Sequence, residues 1–470
     1  MITMTLADVA TAVGGRLTGG ADPDATITGT VEYDSRKVGP GGLFVAIAGD
    51  RVDGHDFAPA AIADGAVAVL ATREVDAPAI VVDDVLVGLG RLARAVVDRL
   101  DDLTVIGITG SSGKTSTKDV IARLCRVAGP TVATAGNFNN ELGHPYTVCQ
   151  ATTDTRYLVL EMGARGLGHL SYLCEIAPVD VAVVLNVGTA HLEGFGSPEA
   201  IATAKSELPA SLTAEGTAIL NADDRAVAAM SEVTKGRVSY FGTGADADRT
   251  VHIDVSADHV TGVGDGTYSY WLHAGGATAQ VELRLHGAHQ VSNTLAAAAV
   301  AHHIGLSVDD IARELSSPLA VSPRRMDVST RVDGVTLIDD SYNANPSSMA
   351  AALRALADVG EGRRTIAVLG YMAELGEIEK SAHEEIGRLA GRLGVEVVIV
   401  VGPEAQAIAV GARASGAETI EVEDQDAAIA VLATRLHPLD VVLVKASRYR
   451  TWDVADYLRD TPVSTEEART

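Results

Sequence analysis

The stretch "VIGITGSSGKTSTKDVI", residues 105–121, sets Gly107, Gly110 and Gly113 ahead of Lys114 and Thr115. A glycine-rich turn between a buried strand and a helix aims backbone N–H groups at one point. The helix N-terminus adds the positive end of its dipole. Lys114 supplies a point charge suited to β/γ-phosphates, and Thr115 a hydroxyl suited to Mg²⁺. Gly110, Ser111, Ser112, Gly113 and Ser116 complete the candidate nucleotide loop. The common spelling G-x-x-x-x-G-K-[ST] needs glycine at 108, where this chain has Ile108, so the spacing predicts a variant loop. The plain alternative is a tight strand-to-helix turn with a surface lysine.

Further polar residues stand at strand ends, where open parallel sheets bind ligands. Asn137, Asn139 and Asn140 lie in "ATAGNFNNELGHP" and are either turn residues or readers of a polar substrate. Glu161 ends "YLVLE" and is either a solvated strand-end carboxylate or a ligand for Mg²⁺. His191 and Lys205, 14 residues apart, are unremarked by local pattern alone. Arg325, in "SPRRMDV", has the planar fork that suits a γ-phosphate. Asp340 closes a strand and opens a helix, which suits a helix cap, a nucleotide or metal contact, or both.

The elements that must position these groups read as three α/β units. Residues 1–98 hold short strands at 43–49, 66–71 and 79–84, then a helix at 89–100. Residues 99–318 hold buried strands at 103–109, 157–163, 181–188 and 217–223. Within them 238–286 alternates like a small antiparallel extension, and an Ala-rich helix spans 293–305. The Pro- and Ser-rich segment 314–325 reads as a linker. Beyond it strands alternate with helices at 346–357, 380–393, 403–414 and 425–436, the pattern of a doubly wound, Rossmann-like third unit over 319–470. The last ten residues read as a loose tail.

A 470-residue chain with 47% hydrophobic and 21% charged residues is globular and multidomain. Its net charge of −25 argues against a dedicated nucleic-acid binder. Cys125, Cys149 and Cys174 are too scattered for a zinc cluster or a disulfide framework. Leu6, Val9, Ala10 and Val13 fall on one face of a short helix, so the N-terminus does not read as a signal peptide. No stretch is apolar enough to span a membrane, and a cytoplasmic monomer is expected.

Taken in order, these pieces resemble the Mur ligase family of ATP-dependent amide-forming enzymes. The family loop is spelled T-G-x-x-G-K-[ST], and "TGSSGKT" fits it without a glycine at 108. The resemblance runs through "DSRKVGPGGLFVAIAGDRVDGHDF", "GNFNNELGHP", "EMGARGLGHL", "AHLEGFGS", "DDSYNANPSSMAAAL" and "MAELGE". It implies a first domain for a uridine nucleotide, a central P-loop-type domain for ATP, and a third domain that closes with the amino substrate. The implied partners are UDP-N-acetylmuramoyl-tripeptide and D-alanyl-D-alanine, joined through an acyl phosphate.

Residue roles follow from the same resemblance. Ser35, Arg36, Asp53, Gly54 and His55 hold the uridine nucleotide. Lys114 and Thr115 bind phosphates and Mg²⁺. Glu161 and His191 are metal ligands, and Lys205 aligns with a lysine that is carbamylated in family members. Asn293, Arg325 and Asp340 face ATP. Asn343, Asn345, Lys445, Ser447 and Arg448 line the third domain's wall. Tyr371 stands where relatives commonly carry Asp, and Ala446 where Gly is usual. No "DNPR" motif, expected of a ligase that adds a diamino acid, is present. The rival readings are a Mur-type or folylpolyglutamate-type ligase with another amino substrate, a P-loop phosphotransferase or ATPase, and a non-catalytic nucleotide scaffold.

Overall fold

The computed structural model describes residues 1–49, 51–188, 192–244, 251–319, 322–448 and 450–460. Three larger sheets organise them. The first is five-stranded, in the order Arg16–Thr18, Ala79–Val81, Ala68–Ala71, Leu43–Val45, Val31–Glu32. All but the antiparallel Arg16–Thr18 run parallel. The N-terminal helix, Leu6–Val13, buries Leu6, Val9, Ala10 and Val13, the face that the spacing predicts. Thr5 and Asp8 form a reciprocal cap at its start, and Gly14 takes the left-handed conformation (φ 70°) that ends it.

The strands here are shorter than the sequence suggests, and the closing helix is Val85–Val97 in place of 89–100. The reason is Asp84. Its carboxylate accepts from Leu86 and Val87 N–H at 2.8 and 3.1 Å, so it caps a helix at the point where the sequence reads as the end of the strand 79–84. This helix packs on the central unit: Gly90 lets Ile176 approach within 3.3 Å of where a Cβ would stand.

The central sheet has nine strands. Thr104–Thr109 sits in the middle, with Tyr157–Glu161 and Thr131–Ala133 on one side and Val181–Val184, Thr217–Asn221 and Arg237–Gly242 on the other. These six are parallel, and the inner four, Thr104–Thr109, Tyr157–Glu161, Val181–Val184 and Thr217–Asn221, are nearly all buried, so they read as continuous apolar runs. Val255–Gly262, Tyr268–Ala274 and Ala277–Glu282 extend the sheet, antiparallel to one another, as the alternating pattern predicts. The Ala-rich helix is His289–His303, four residues longer at its start than expected. Its small side chains let it lie against the loop helix, Lys114–Ala128.

The third sheet runs Asp327–Thr330, Thr336–Asp339, Val441–Lys445, Thr365–Gly370, Val397–Val401, Glu418–Val422. Only Asp327–Thr330 is antiparallel. Helices Pro346–Val359, Glu379–Arg392 and Gln406–Ala414 cover one face, and Gln425–Arg435 and Trp452–Asp460 the other. The sheet is therefore doubly wound. The sequence pattern missed the outer strands Asp327–Thr330 and Glu418–Val422, which are half-exposed and carry too little apolar alternation. The tail at 461–470 lies outside the described residues.

Among the described residues no helix is long and apolar enough to cross a membrane. All three cysteines are free and buried.

Candidate active site

The C-terminal edges of the central and third sheets face each other across a cleft of about 960 Å³. Both walls are polar, and most of the expected nucleotide and third-domain groups line one of them.

The loop at 110–113 leaves the buried strand Thr104–Thr109 and enters the helix Lys114–Ala128 at Gly113. Gly113 has φ 80°, and a Cβ there would lie 2.6 Å from Asn293 Oδ1. Glycine is thus required twice, for the left-handed turn and for the approach of Asn293. The helix's own bonding starts with Thr117 N–H to the Gly113 carbonyl, at 2.9 Å. The N–H groups of the preceding turn point out of the helix start without an intrahelical partner, as at every helix start. Lys114 Nζ donates to the Gly110 carbonyl at 2.7 Å, so the loop curls around its own lysine. Burial lowers the Lys114 ammonium below its usual range, and Arg325 lowers it further while Glu161 opposes both. A phosphate placed there would restore the charged form.

Asn186, just past the strand Val181–Val184, braces this loop. Its Oδ1 accepts from Ser111 and Ser112 N–H at 3.0 Å each, and its Nδ2 donates to the Ser112 carbonyl at 3.2 Å. Ser111 Oγ in turn accepts from Gly188 N–H at 2.8 Å. The sequence reading did not single out Asn186. A polar residue at the end of the neighbouring strand was the available signal.

Glu161 is 1% exposed. Asn139 Nδ2 donates to its Oε1 at 2.7 Å, and Thr134 Oγ1 accepts from its N–H at 3.0 Å. Its Oε2 is buried with no hydrogen-bond partner among the described residues. A buried carboxylate oxygen without a partner is costly, and a cation would satisfy it. Glu161 and the Thr115 hydroxyl are oxygen donors on the lining of this cleft, which suits Mg²⁺. Lys205, on the helix Pro198–Ala210, is buried and lines the same cleft. Burial, and then Lys114, push its ammonium well below the usual lysine range. His191 lies outside the described residues. Among those described, no three His, Cys, Asp or Glu side chains group as a metal site.

The facing wall belongs to the third sheet. Arg325 lies over the Tyr342 ring, 4.1 Å from its centroid. Arg324 and Met326, on either side of it, are left-handed (φ 62° and 54°), which throws the two arginines apart. Arg324 turns to Asp456 (2.9 Å) and the Trp452 ring (5.6 Å). Asp340 accepts from Lys445 Nζ at 2.5 Å and from Met326 N–H at 3.1 Å. Lys445 also donates to the Asn343 carbonyl at 2.8 Å. Burial lowers the Lys445 ammonium, and Asp340 opposes that shift. Asn345 caps the helix Pro346–Val359 and reaches the Ser111 carbonyl at 3.5 Å, across the two domains. Ser447 and Arg448 line the cleft beside Ala373 and Glu374. The cap on Pro346–Val359 is thus Asn345, not Asp340.

The first-domain residues stand apart from this cleft. Ser35 and Arg36 lie in a short turn capped by Asp34. The exposed Arg36 guanidinium folds back on Asp34 at 2.8 Å, and these bonds pull the Asp34 carboxyl down to about 2. Tyr33, next to that turn, meets Phe138 and Tyr146 edge-on, with centroids 6.4 and 5.2 Å away. This contact places the turn against the asparagine-rich segment. Asp53, Gly54 and His55 form a closed latch. Asp53 Oδ1 meets His55 Nδ1 at 2.6 Å, and Thr72 N–H donates to His55 Nε2 at 3.0 Å. Both ring nitrogens of the buried His55 are therefore engaged within the domain. Asn140 has a turn role, with Oδ1 accepting from Gly143 N–H at 2.9 Å. Asn137 lines the cleft.

Family models match the chain in three blocks: the Mur ligase family catalytic domain at 28–96, the Mur ligase middle domain at 108–301, and the Mur ligase glutamate ligase domain at 324–448. The chain is 47% identical to the UDP-N-acetylmuramoyl-tripeptide–D-alanyl-D-alanine ligase of Mycobacterium tuberculosis, over 95% of this chain and 96% of that one. A crystal structure of MurF from Acinetobacter baumannii superposes with a TM-score of 0.86 at 30% identity, covering 97% of this chain and 99% of that one. MurF of Thermotoga maritima in complex with ADP does so with a TM-score of 0.77 at 32% identity, covering 92% and 97%. With its glycine loop, its two-walled cleft and its three matched domains, the chain belongs to the Mur ligase family.

Proposed function

We propose that this chain joins D-alanyl-D-alanine to the peptide carboxylate of UDP-N-acetylmuramoyl-tripeptide, with ATP converted to ADP and phosphate, in peptidoglycan precursor synthesis. The relatives' names support the two substrates. The observation that carries the reading is the cleft itself, which puts Lys114 and Glu161 of the central domain opposite Arg325 and Lys445 of the third.

The peptide carboxylate attacks the γ-phosphate, ADP departs, and an acyl phosphate forms. The dipeptide amine then attacks the acyl carbon, loses a proton and displaces phosphate. Three anions meet in the first step, so preorganised positive charge is the main requirement. Lys114 and the amides of the loop helix bind the phosphate chain. Arg325, held flat by Tyr342, meets the transferring phosphoryl group with its fork. Asn293 and Asp340 position the rest of the nucleotide. Thr115, Glu161, His191 and a carbamylated Lys205 would hold Mg²⁺, which supplies further charge neutralisation there. A neutral Lys205 amine adds to CO₂, losing a proton, and so becomes an anionic oxygen donor; its lowered proton affinity favours that step. Ser447, Arg448, Asn343 and Asn345 face the amine. Ser35 and Arg36 hold the uridine end, with 1–98, 99–318 and 319–470 as the three functional units of a cytoplasmic monomer.

A product assay tests the amino substrate. The enzyme is given ATP and UDP-N-acetylmuramoyl-tripeptide with D-alanyl-D-alanine, glutamate or a diamino acid, and the products are weighed by mass spectrometry. Only the dipeptide is expected to be incorporated. Preferred incorporation of either amino acid would assign the chain to another ligase of the family.

A further inference from the structure

The turn at 373–376 links the third-domain strand Thr365–Gly370 to the short turn Gly376–Ile378. It is held firmly from behind. Ser447 donates to the Tyr371 carbonyl from its N–H (3.0 Å) and from Oγ (2.8 Å), and Oγ accepts from Ala373 N–H at 3.1 Å. His383 Nε2 accepts from Met372 N–H at 2.9 Å, and Leu375 is fully buried. Glu374 and Gly376 are both left-handed, with φ 64° and 56°, and they turn the tip outward. For a non-glycine residue that conformation costs roughly 1–2 kcal/mol, so the surroundings of Glu374 impose it.

The tip rests on the central domain. The Glu374 carbonyl accepts from Glu193 N–H at 3.2 Å. A Cβ on Gly376 would lie 3.5 Å from Glu193 Cα and 3.6 Å from its Cβ. Glu193 belongs to the one-turn helix Leu192–Phe195, which leads into Pro198–Ala210, the helix of Lys205. On the third-domain side, Ala373, Glu374, Ser447 and Arg448 line the cleft together. One backbone contact therefore ties the wall that faces the amine to the segment that carries Lys205.

We propose that Glu374 and Gly376 are positioning residues of the reaction. By seating on Glu193, they register the amine-bearing wall against the Lys205 segment, so that the amine approaches the acyl carbon in line. Neither residue touches the reacting atoms in this role. The nature of the amine rests on the ligase reading above; the contact itself does not. Misplacement of reacting groups by about 1 Å costs roughly 100-fold in rate, which is the scale of effect at stake.

The double variant Glu193→Cys/Gly376→Cys tests the contact, because a Cβ separation of 3.6 Å falls within the range of about 3.5–4.5 Å that a disulfide needs. The native cysteines are buried and do not compete. Oxidised glutathione is the oxidant; the two thiols become one disulfide and reduced glutathione is released. The cross-link is expected to form, and to form several-fold faster when UDP-N-acetylmuramoyl-tripeptide and a non-hydrolysable ATP analogue are bound. In a second measurement, folded Gly376→Cys is alkylated with N-ethylmaleimide, which wedges the tip off Glu193. Amide formation should then fall roughly 10–100-fold in kcat with KM for ATP unchanged. No cross-link under either condition, or full kcat after alkylation, would overturn the proposal. A failure of the ligase reading would look different: the cross-link would form, but the unmodified enzyme would join no dipeptide.

Discussion

Asn186 Oδ1 accepts from the backbone N–H groups of both Ser111 and Ser112, at 3.0 Å each, so one carboxamide fixes the front of the nucleotide loop. The remaining amides of the turn, those that open the helix Lys114–Ala128, have no partner within the helix. Asn186→Ala should loosen the loop and leave the partly buried Ser112 N–H unsatisfied, a loss of about 1–3 kcal/mol, while Ser111 N–H keeps the Asn186 backbone carbonyl at 3.1 Å. Calorimetry should show nucleotide affinity falling roughly 10–100-fold. Unchanged affinity would mean that the loop holds its shape without this brace.

Arg325 is stacked on Tyr342, and that geometry depends on a planar guanidinium. Arg325→Lys keeps the charge and loses both fork and stack. Removal of one preorganised contact to developing charge typically costs on the order of 10²–10³ in rate. Steady-state kinetics should show that loss in kcat, with a smaller loss for Tyr342→Leu. Near-normal turnover in Arg325→Lys would remove the fork from the phosphoryl-transfer step.

Lys205 carries the carbamate prediction. Lys205→Ala should be inactive in the standard assay and partly recover when a short-chain carboxylate such as acetate is added, because the added carboxylate supplies the missing oxygen ligand. Full activity in the unsupplemented variant would sink the carbamate.

His144 offers a test by pH. Its ring is fully buried, and burial pushes it down to about 4 from an ordinary 6.5. Between those values the unfolded chain binds a proton that the folded chain does not, so stability falls as pH drops from about 6.5 to 4, and this contribution levels off below 4. The shift corresponds to roughly 3 kcal/mol across that window. Denaturant titrations of the parent and of His144→Gln should converge as pH falls, since the variant lacks this titration. Parallel curves would show that His144 does not contribute.

The loop was legible because its chemistry and its context are local: an apolar strand, three glycines, Lys114 and Thr115 follow one another in the chain. Asn186 was not, because one asparagine after a strand has no meaning until Val181–Val184 is known to lie beside Thr104–Thr109. Asp84 misled for the opposite reason, since a capping carboxylate inside a long apolar run looks like a strand end. His55 looked available to a ligand from its motif, whereas its two nitrogens close on Asp53 and Thr72. The contact of Glu193 with Glu374 is made by backbone atoms of distant segments, and side-chain types carry no trace of it.

The most direct test of the central claim is phosphate release by the purified enzyme given ATP and UDP-N-acetylmuramoyl-tripeptide, with and without D-alanyl-D-alanine. The account predicts sustained release only when both substrates are present, with one amide bond formed per phosphate. Equal release from ATP without the dipeptide would contradict it and point to an ATPase or phosphotransferase.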